Sequence, residues 1–374
     1  GLLEDPVADR RIPDPRGRVR VRTVVVDKIA SVAQHRSLGT ELRLSPEIPC
    51  EEGVLIAVRV LNNKSRYNKL ELTSGRMATV NQGDIVVGAL GHRKALLGYA
   101  GHLPESLEAG GKVQILNIGG VMGICDSANP EVGPPFDCEV LGTVLEFPYL
   151  GERIGVPARV GLKTLDAGQS LGTDRVPVVA LAGTCMDSGK TVASCAIIGR
   201  LRQAGHQVAA CKATGVALRR DILAMEDAGA VDAMIFSDFG IVATTPENGP
   251  ALTKALLAAL SEKQPDVIVI ELGDGLLGDY GVDAILSDPE IRDSLAAVVL
   301  CANDPVAAWG GDRLLRDEYG ITPAVVTGPA TDNDVGTKQI ENRLGLPAIN
   351  ALTNGAALGD VVAEAAGIAG DKAS

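Results

Sequence analysis

Two hydrophobic rhythms divide the chain. Over residues ~19–146, short β-branched runs recur between Gly, Asn and Pro turns: Val19–Ile29, Val54–Val60, Lys69–Thr73, Asp84–Leu90, Lys112–Ile118 and Cys138–Leu145. Runs of this length and spacing predict strands, and a series of them predicts a barrel or sandwich. From Val178 onward the rhythm changes. Fully apolar runs at Val178–Ala182, Val208–Lys212, Ala233–Phe236, Val267–Glu271, Ala296–Cys301 and Ala324–Thr327 alternate with helical stretches such as Val192–Gln203, Gly249–Glu262 and Asp312–Glu318. Strands apolar on both faces and separated by helices predict a parallel sheet covered on both sides.

The predicted fold class is therefore α/β, preceded by an all-β, barrel-like region. The organisation reads as an N-terminal domain over residues 1–165 and an α/β domain over 174–374. The Gly- and Pro-rich stretch Phe147–Pro177 is expected to link them.

In a parallel α/β sheet the ligand sits at the carboxyl ends of the strands, and the chemistry-bearing residues of this chain collect there. The first strand runs into Gly183-Thr184-Cys185-Met186-Asp187-Ser188-Gly189-Lys190-Thr191, followed by a helix that begins near Val192. Strand, glycine-bounded turn and helix together are the context a phosphate-binding loop requires. The backbone N–H groups of Gly183, Thr184, Asp187, Ser188, Gly189 and Val192 are candidates to cradle phosphate oxygens. The Lys190 ammonium would reach the terminal phosphates, and the Thr191 hydroxyl would ligate Mg²⁺. Asp187 either contacts a substrate or caps the following helix.

The second strand ends at Lys212, with Asp221 nine residues further on. A lysine there could neutralise charge developing during phosphoryl transfer; the plain alternative is a surface lysine. Asp221 reads equally as a Mg²⁺ ligand or as a helix N-cap. The fourth strand emits Glu271 and the glycine-rich turn Gly273-Asp274-Gly275. Glu271 stands where an acid organising Mg²⁺ belongs, unless the segment simply turns. After the fifth strand, Asn303-Asp304 would touch a nucleotide base or open an ordinary turn.

Composition narrows the function classes. The net charge is −12. Residues 1–150 hold 17 Lys/Arg against 18 Asp/Glu, so the acidity lies in the remainder, with 18 against 29. An acidic body argues against general nucleic-acid binding, which needs a sustained basic face. The one basic run, Arg10, Arg11, Arg16, Arg18, Arg20 and Arg22, reads as a solvated tail or edge strand, with a phosphate or partner contact as the alternative. No apolar run approaches the ~20 residues that span a bilayer, and the charged start is unlike a signal peptide. Seven scattered cysteines without Cys-x-x-Cys suit a reducing compartment, so cytoplasm is expected, with most thiols in cores.

In the N-terminal half, two clusters carry charge in loops: Asn62–Lys69, and Gly91–His102 with His92, Arg93 and Lys94. Each reads as a hairpin tip with solvated charges or as a grip for an anion or substrate carboxylate. His92 and His102 lack a third partner spaced for a metal.

The segment Gly183–Ala196 resembles the start of dethiobiotin synthetase, which has a Gly-Thr-led loop of the same length, and the likeness continues through Lys212 and the Glu271 turn. It covers residues ~178–350 in outline. Cys185, where partition-type ATPases carry a signature lysine, sets the chain apart from that branch. The resemblance implies an ATP- and Mg²⁺-dependent ligase that activates a carboxyl-type group of a small metabolite as a mixed phosphoric anhydride and closes an amide- or urea-like bond. It implies phosphate and metal binding by Lys190 and Thr191, catalytic assistance by Lys212, Mg²⁺ ligation by Asp221 and Glu271, and a homodimer. Two departures bear on substrate: Lys212 is followed by Ala-Thr-Gly, and Leu272 and Asp274 replace small residues. A small-molecule kinase needs only the same parts, and a nucleotide-switched binding protein or metallochaperone is the reading from a different class.

Overall fold

The computed structural model describes residues 21–151, 154–172, 175–368 and 370. The basic run up to Arg20 lies outside them. Arg22 stands on the edge strand Arg22–Val25 and donates to the Leu141 carbonyl at 2.5 Å.

Eleven of the N-terminal strands form one sheet, and Lys69–Glu71 and Met77–Thr79 form a separate two-stranded one. Five of the eleven close on themselves: Phe136–Glu146 pairs with Leu55–Val60, then Ile85–Leu90, Val121–Ala128 and Lys112–Ile115, which returns to Phe136–Glu146. Closure removes unpaired edges and buries an interior of Ile56, Val58, Leu90, Val113, Met122 and Val140. The barrel expected from the β-branched runs is therefore present. Several strands were not legible, among them Glu41–Ser45, Arg93–Lys94, Tyr99–His102 and Val121–Ala128. They are short or glycine-interrupted, and pairing rather than local pattern makes them strands.

The C-terminal sheet has six strands, all parallel, in the order Asp232–Ile235, Val208–Lys212, Val267–Leu272, Val178–Gly183, Leu295–Cys301, Val325–Thr327. Each predicted strand is found within a residue of its expected bounds. The last long predicted helix starts earlier than its pattern suggested, at Pro305, because the Asp304 carboxylate caps the N–H groups of Val306 and Ala307 at 2.8 and 2.9 Å. The loop-bearing strand lies inside the sheet, so the phosphate-loop motif opens at its centre.

One hydrophobic core is continuous between the two regions. It joins the barrel interior to the sheet face carrying Ala180, Ala182, Ile268 and Ile270, while the opposite face packs on the helix Lys190–Gln203 and Leu358 and Val362. The expected linker is only partly one: Val156–Pro157 pairs with the barrel, and Ala158 and Val160 are buried in it. Polar ties reinforce the contact. The Glu52 carboxylate accepts from Val242 N and Ala243 N at 2.9 and 3.1 Å, Asn117 donates to the Ala217 carbonyl at 2.8 Å, and His35 meets Asp238 at 2.5 Å. All seven cysteines are free thiols, with Cys138, Cys211 and Cys301 buried. Among the described residues no helix is long and apolar enough to cross a membrane.

Candidate nucleotide site and interdomain cleft

The strand Val178–Gly183 ends in a turn that folds back over its own tip. A Cβ at Gly183 would stand 2.4 Å from Ser188 Oγ and 2.7 Å from Lys190 Nζ, so only glycine lets the lysine lie across the strand end. The helix Lys190–Gln203 then starts from Gly189, which is left-handed and gives no side-chain cap. Its first internal backbone bond is Ala193 N to Gly189 O at 2.9 Å, which leaves the N–H groups of Lys190, Thr191 and Val192 ahead of the helical ladder. Such donors, with the positive end of the helix dipole, form an anion site.

Lys190 is 7% exposed. Its ammonium donates to the carbonyls of Asp274 (2.6 Å) and Cys185 (2.9 Å) and to Ser188 Oγ (3.3 Å). Neutral oxygens hold this charge, so it remains available to an anion. Thr191 Oγ1 donates to Glu271 at 3.1 Å, which brings together two of the three predicted metal ligands. Burial, and then repulsion from Asp221, pushes the Glu271 carboxyl above its ordinary range.

Asp221, the third, is buried in the first turn of the helix Arg220–Asp227 rather than at its cap, which is Arg219. Its carboxylate pairs with the Lys212 ammonium. Burial works against both charges, but the pair outweighs it: Lys212 is raised and Asp221 lowered from their ordinary values. Lys212 is therefore neither a free surface lysine nor an uncommitted one. No cluster of three His, Cys, Asp or Glu suited to a metal occurs among the described residues. A threonine hydroxyl with one or two carboxylates nonetheless matches Mg²⁺, which keeps several waters and takes phosphate oxygens alongside one or two carboxylates.

Asp187 is exposed, has a positive φ of 56°, and does not cap the helix. Its carbonyl accepts from Asn303 Nδ2 at 3.5 Å, and Asn303 Oδ1 accepts from Thr184 Oγ1 at 3.0 Å. Asn303 is thus tied to the loop. It also lines an open groove of about 830 Å³ with Pro305, Pro329, Asn333 and Asp334. Asp304 caps the following helix, as the turn-opening alternative expected, and lines the same groove.

The loop opens into a cleft of about 850 Å³ between the barrel and the α/β sheet. Lys190, Thr191, Lys212, Asp221 and Glu271 form one side, and Tyr67, Arg93, Asn117 and Asn129 of the barrel form the other. Tyr67 and Arg93 come from the two charged loop clusters of the N-terminal half, which the fold brings to one place. Arg93 is buried rather than solvated, whereas His102 is exposed and paired with Asp126 at 2.8 Å. Thr214, Asp274 and Tyr280 also line the cleft. Thr214, in the Ala-Thr-Gly after Lys212, and Asp274, in the glycine-rich turn, both stand among the departures that bear on substrate; Tyr280 gave no signal.

No family model matches the chain, and no curated protein matches it. Solved structures do. Chloroplast FtsY from Physcomitrella patens is 14% identical, with 55% of this chain and 69% of that one covered and a TM-score of 0.35. A DUF1611 family protein from Anabaena variabilis is 15% identical over 54% and 63%, with a TM-score of 0.37. FtsY from Thermotoga maritima is 16% identical over 54% and 72%, with a TM-score of 0.36. The strand order and the position of the loop define a phosphate-loop α/β fold behind an all-β barrel.

Proposed function

We propose that this protein is a Mg²⁺-dependent nucleotide phosphoryl-transfer enzyme whose acceptor is a small molecule held in the interdomain cleft. The observation that carries this reading is the continuity of that cleft. A single cavity runs from Lys190, Lys212 and Glu271 to the barrel side chains Tyr67 and Arg93, so a molecule seated there would face the terminal phosphate.

The roles follow from the geometry. The N–H groups around Gly189 and the Lys190 ammonium hold the phosphates. Thr191 and Glu271 would hold Mg²⁺, with Asp221 as a further carboxylate for it. The ion, once bound, neutralises charge on the phosphate oxygens. Lys212, fixed by Asp221, points a cation at the place where charge develops on the transferred group. Transfer to a carboxylate would give an acyl phosphate on the route to an amide-forming ligase, as the resemblance to dethiobiotin synthetase implies. Transfer to a hydroxyl would make the protein a kinase.

A second reading, a nucleotide-switched protein, has one observation in its favour. Glu71, on the two-stranded sheet Lys69–Glu71 and Met77–Thr79, is bonded to the helix that carries Asp221, so a change at the nucleotide site has a path to the N-terminal region.

The test is nucleoside diphosphate release from Mg·ATP and Mg·GTP against a pooled metabolite set, with and without bicarbonate, using Lys190→Ala as the blank. Turnover that needs one compound and vanishes in the variant supports the enzyme. Slow hydrolysis indifferent to every compound sinks it in favour of the switch.

A further inference from the structure

Asp274 reaches both the phosphate loop and the barrel. Its carbonyl accepts the Lys190 ammonium at 2.6 Å, and its carboxylate Oδ2 accepts the backbone N–H of Leu96 at 2.8 Å. The side chain is buried, and its other oxygen, Oδ1, has no donor among the described residues, so Leu96 is what anchors the carboxylate. Packing repeats the arrangement at Gly275, where a Cβ would stand 3.1 Å from Leu96 Cδ1, from Cys185 Cα and from the Thr184 carbonyl oxygen. A glycine there lets the barrel loop, the phosphate loop and the turn after Leu272 meet. Two further bonds flank the junction: Leu276 N to the Gly183 carbonyl at 2.8 Å, and Lys94 N to Tyr280 Oη at 3.2 Å.

An ammonium has three N–H groups, and Lys190 spends all three on neutral oxygens. A phosphate oxygen that takes one of them would displace the longest bond, to Ser188 Oγ at 3.3 Å, and leave the carbonyls of Asp274 and Cys185 to direct the head group. Cys185 belongs to the loop itself. Asp274 belongs to the turn of another strand and is tied to the barrel. Its carbonyl is therefore the outside reference that aims the lysine, and Leu96 holds that reference in place.

We infer that Asp274 is a positioning residue: by gripping Leu96 N it fixes the carbonyl that aims Lys190, so a loop of the barrel tunes the affinity of the nucleotide site. The inference rests on the nucleotide site of the proposed function and not on its acceptor. Ala95, Leu97 and Gly98 of the same barrel loop line the cleft, so the latch joins the cleft wall to the phosphate loop. Linkage sets the sign of the coupling. A latch that favours phosphate binding is itself favoured by bound phosphate, so nucleotide should strengthen the Leu96 bond.

The test is titration of the full chain with Mg·ATP and Mg·GTP in wild type, Asp274→Ala and Asp274→Asn, each checked for a cooperative melt. Amide hydrogen exchange over residues 93–98 is measured alongside, with and without saturating nucleotide. Asp274→Ala should weaken nucleotide binding by roughly two- to tenfold, and Asp274→Asn, which keeps an acceptor for Leu96 N, should restore it. Nucleotide should slow exchange at Leu96 in wild type and in Asp274→Asn, whereas in Asp274→Ala exchange should be fast and indifferent to nucleotide. An alanine variant that binds like wild type overturns the latch, and so does an asparagine variant as weak as alanine. Nucleotide that binds wild type and leaves Leu96 exchange unmoved also overturns it, and this result decides alone if Asp274→Ala fails to fold. A wild type that binds neither nucleotide overturns the latch and the phosphoryl-transfer reading together. The expected pattern in a protein that no metabolite stimulates ends the phosphoryl-transfer reading and leaves the latch standing.

Discussion

The Glu71 carboxylate accepts the backbone N–H of Arg220 at 2.8 Å and that of Arg219 at 2.7 Å, across 149 and 148 residues of sequence. A fully buried acid of the N-terminal region thereby caps the helix that presents Asp221. That helix has no side-chain cap of its own, so Glu71 supplies the acceptor its first turn lacks. Replacement by alanine leaves two backbone donors without their acceptor and should lower stability by about 1–2 kcal/mol. It should also raise the Mg²⁺ concentration needed for nucleotide hydrolysis, because Asp221 loses its fixed position. Denaturant melts and a Mg²⁺ titration read the two effects. A stability loss with an unmoved Mg²⁺ requirement would reduce Glu71 to a structural cap.

Glu271 presents the opposite balance. Burial and the nearby Asp221 raise its carboxyl above the ordinary 4.5, so the folded state favours the protonated form. Stability attributable to this group therefore falls as pH rises from about 4.5 to the folded value, then stays level. Glu271→Gln keeps an acceptor for Thr191 and removes the buried charge. The variant should be more stable than wild type near neutral pH, by on the order of 1 kcal/mol, and the two should converge below the unfolded value. Mg·nucleotide should reverse the ranking, raising the melting temperature of wild type far more than that of the variant. Equal stabilisation of both would remove Glu271 from the metal site.

The Lys212–Asp221 pair is the strongest buried electrostatic commitment near the loop. Asp221 is held below its ordinary 3.8, so its contribution is present above that value and is lost as pH falls through the still lower folded one. Lys212 is raised above 10.5, so its contribution is present below that value and is lost as pH rises past the folded one. Lys212→Met alone strands a buried carboxylate and should cost about 3–5 kcal/mol, whereas Lys212→Met with Asp221→Leu should recover most of it. In the single variant burial leaves the Asp221 carboxyl raised, so the cost should be greatest at neutral pH and above and shrink as acid protonates the stranded group. A cost that disappears near neutral pH would contradict the pairing.

What the sequence disclosed, and what it concealed, divides along one physical line. The six parallel strands and the loop were legible because buried strands are uniformly apolar and the loop's chemistry is local: Gly183, Gly189, Lys190 and Thr191 act within nine residues. The barrel's existence was legible, but its closure was not, since the strand Lys112–Ile115 joins partners on both sides by register alone. The cleft was hidden for the same reason. Tyr67 and Arg93 read as loop residues and Asn117 as the end of a strand, and only the fold sets them opposite Lys190. Lys212 and Asp221 were both singled out, yet their pairing depends on a helix direction that no local pattern encodes.

Asn303 tests how the loop keeps its shape. Its side-chain amide is consumed on both sides, accepting from Thr184 Oγ1 at 3.0 Å and donating to the Asp187 carbonyl at 3.5 Å, so it tethers the first and middle parts of the loop. A group so engaged has little left with which to tell adenine from guanine. Asn303→Ala should therefore weaken Mg·ATP and Mg·GTP together, by roughly two- to tenfold for one or two lost hydrogen bonds, and leave their ratio unchanged. Asp304→Ala makes the control, because its carboxylate only caps the helix Pro305–Tyr319; it should cost about 1 kcal/mol of stability and spare the affinity for both nucleotides. Titration with fluorescent derivatives of the two nucleotides measures all four affinities. A shift in the ATP-to-GTP ratio confined to Asn303→Ala would show that the amide turns from the loop to read the base.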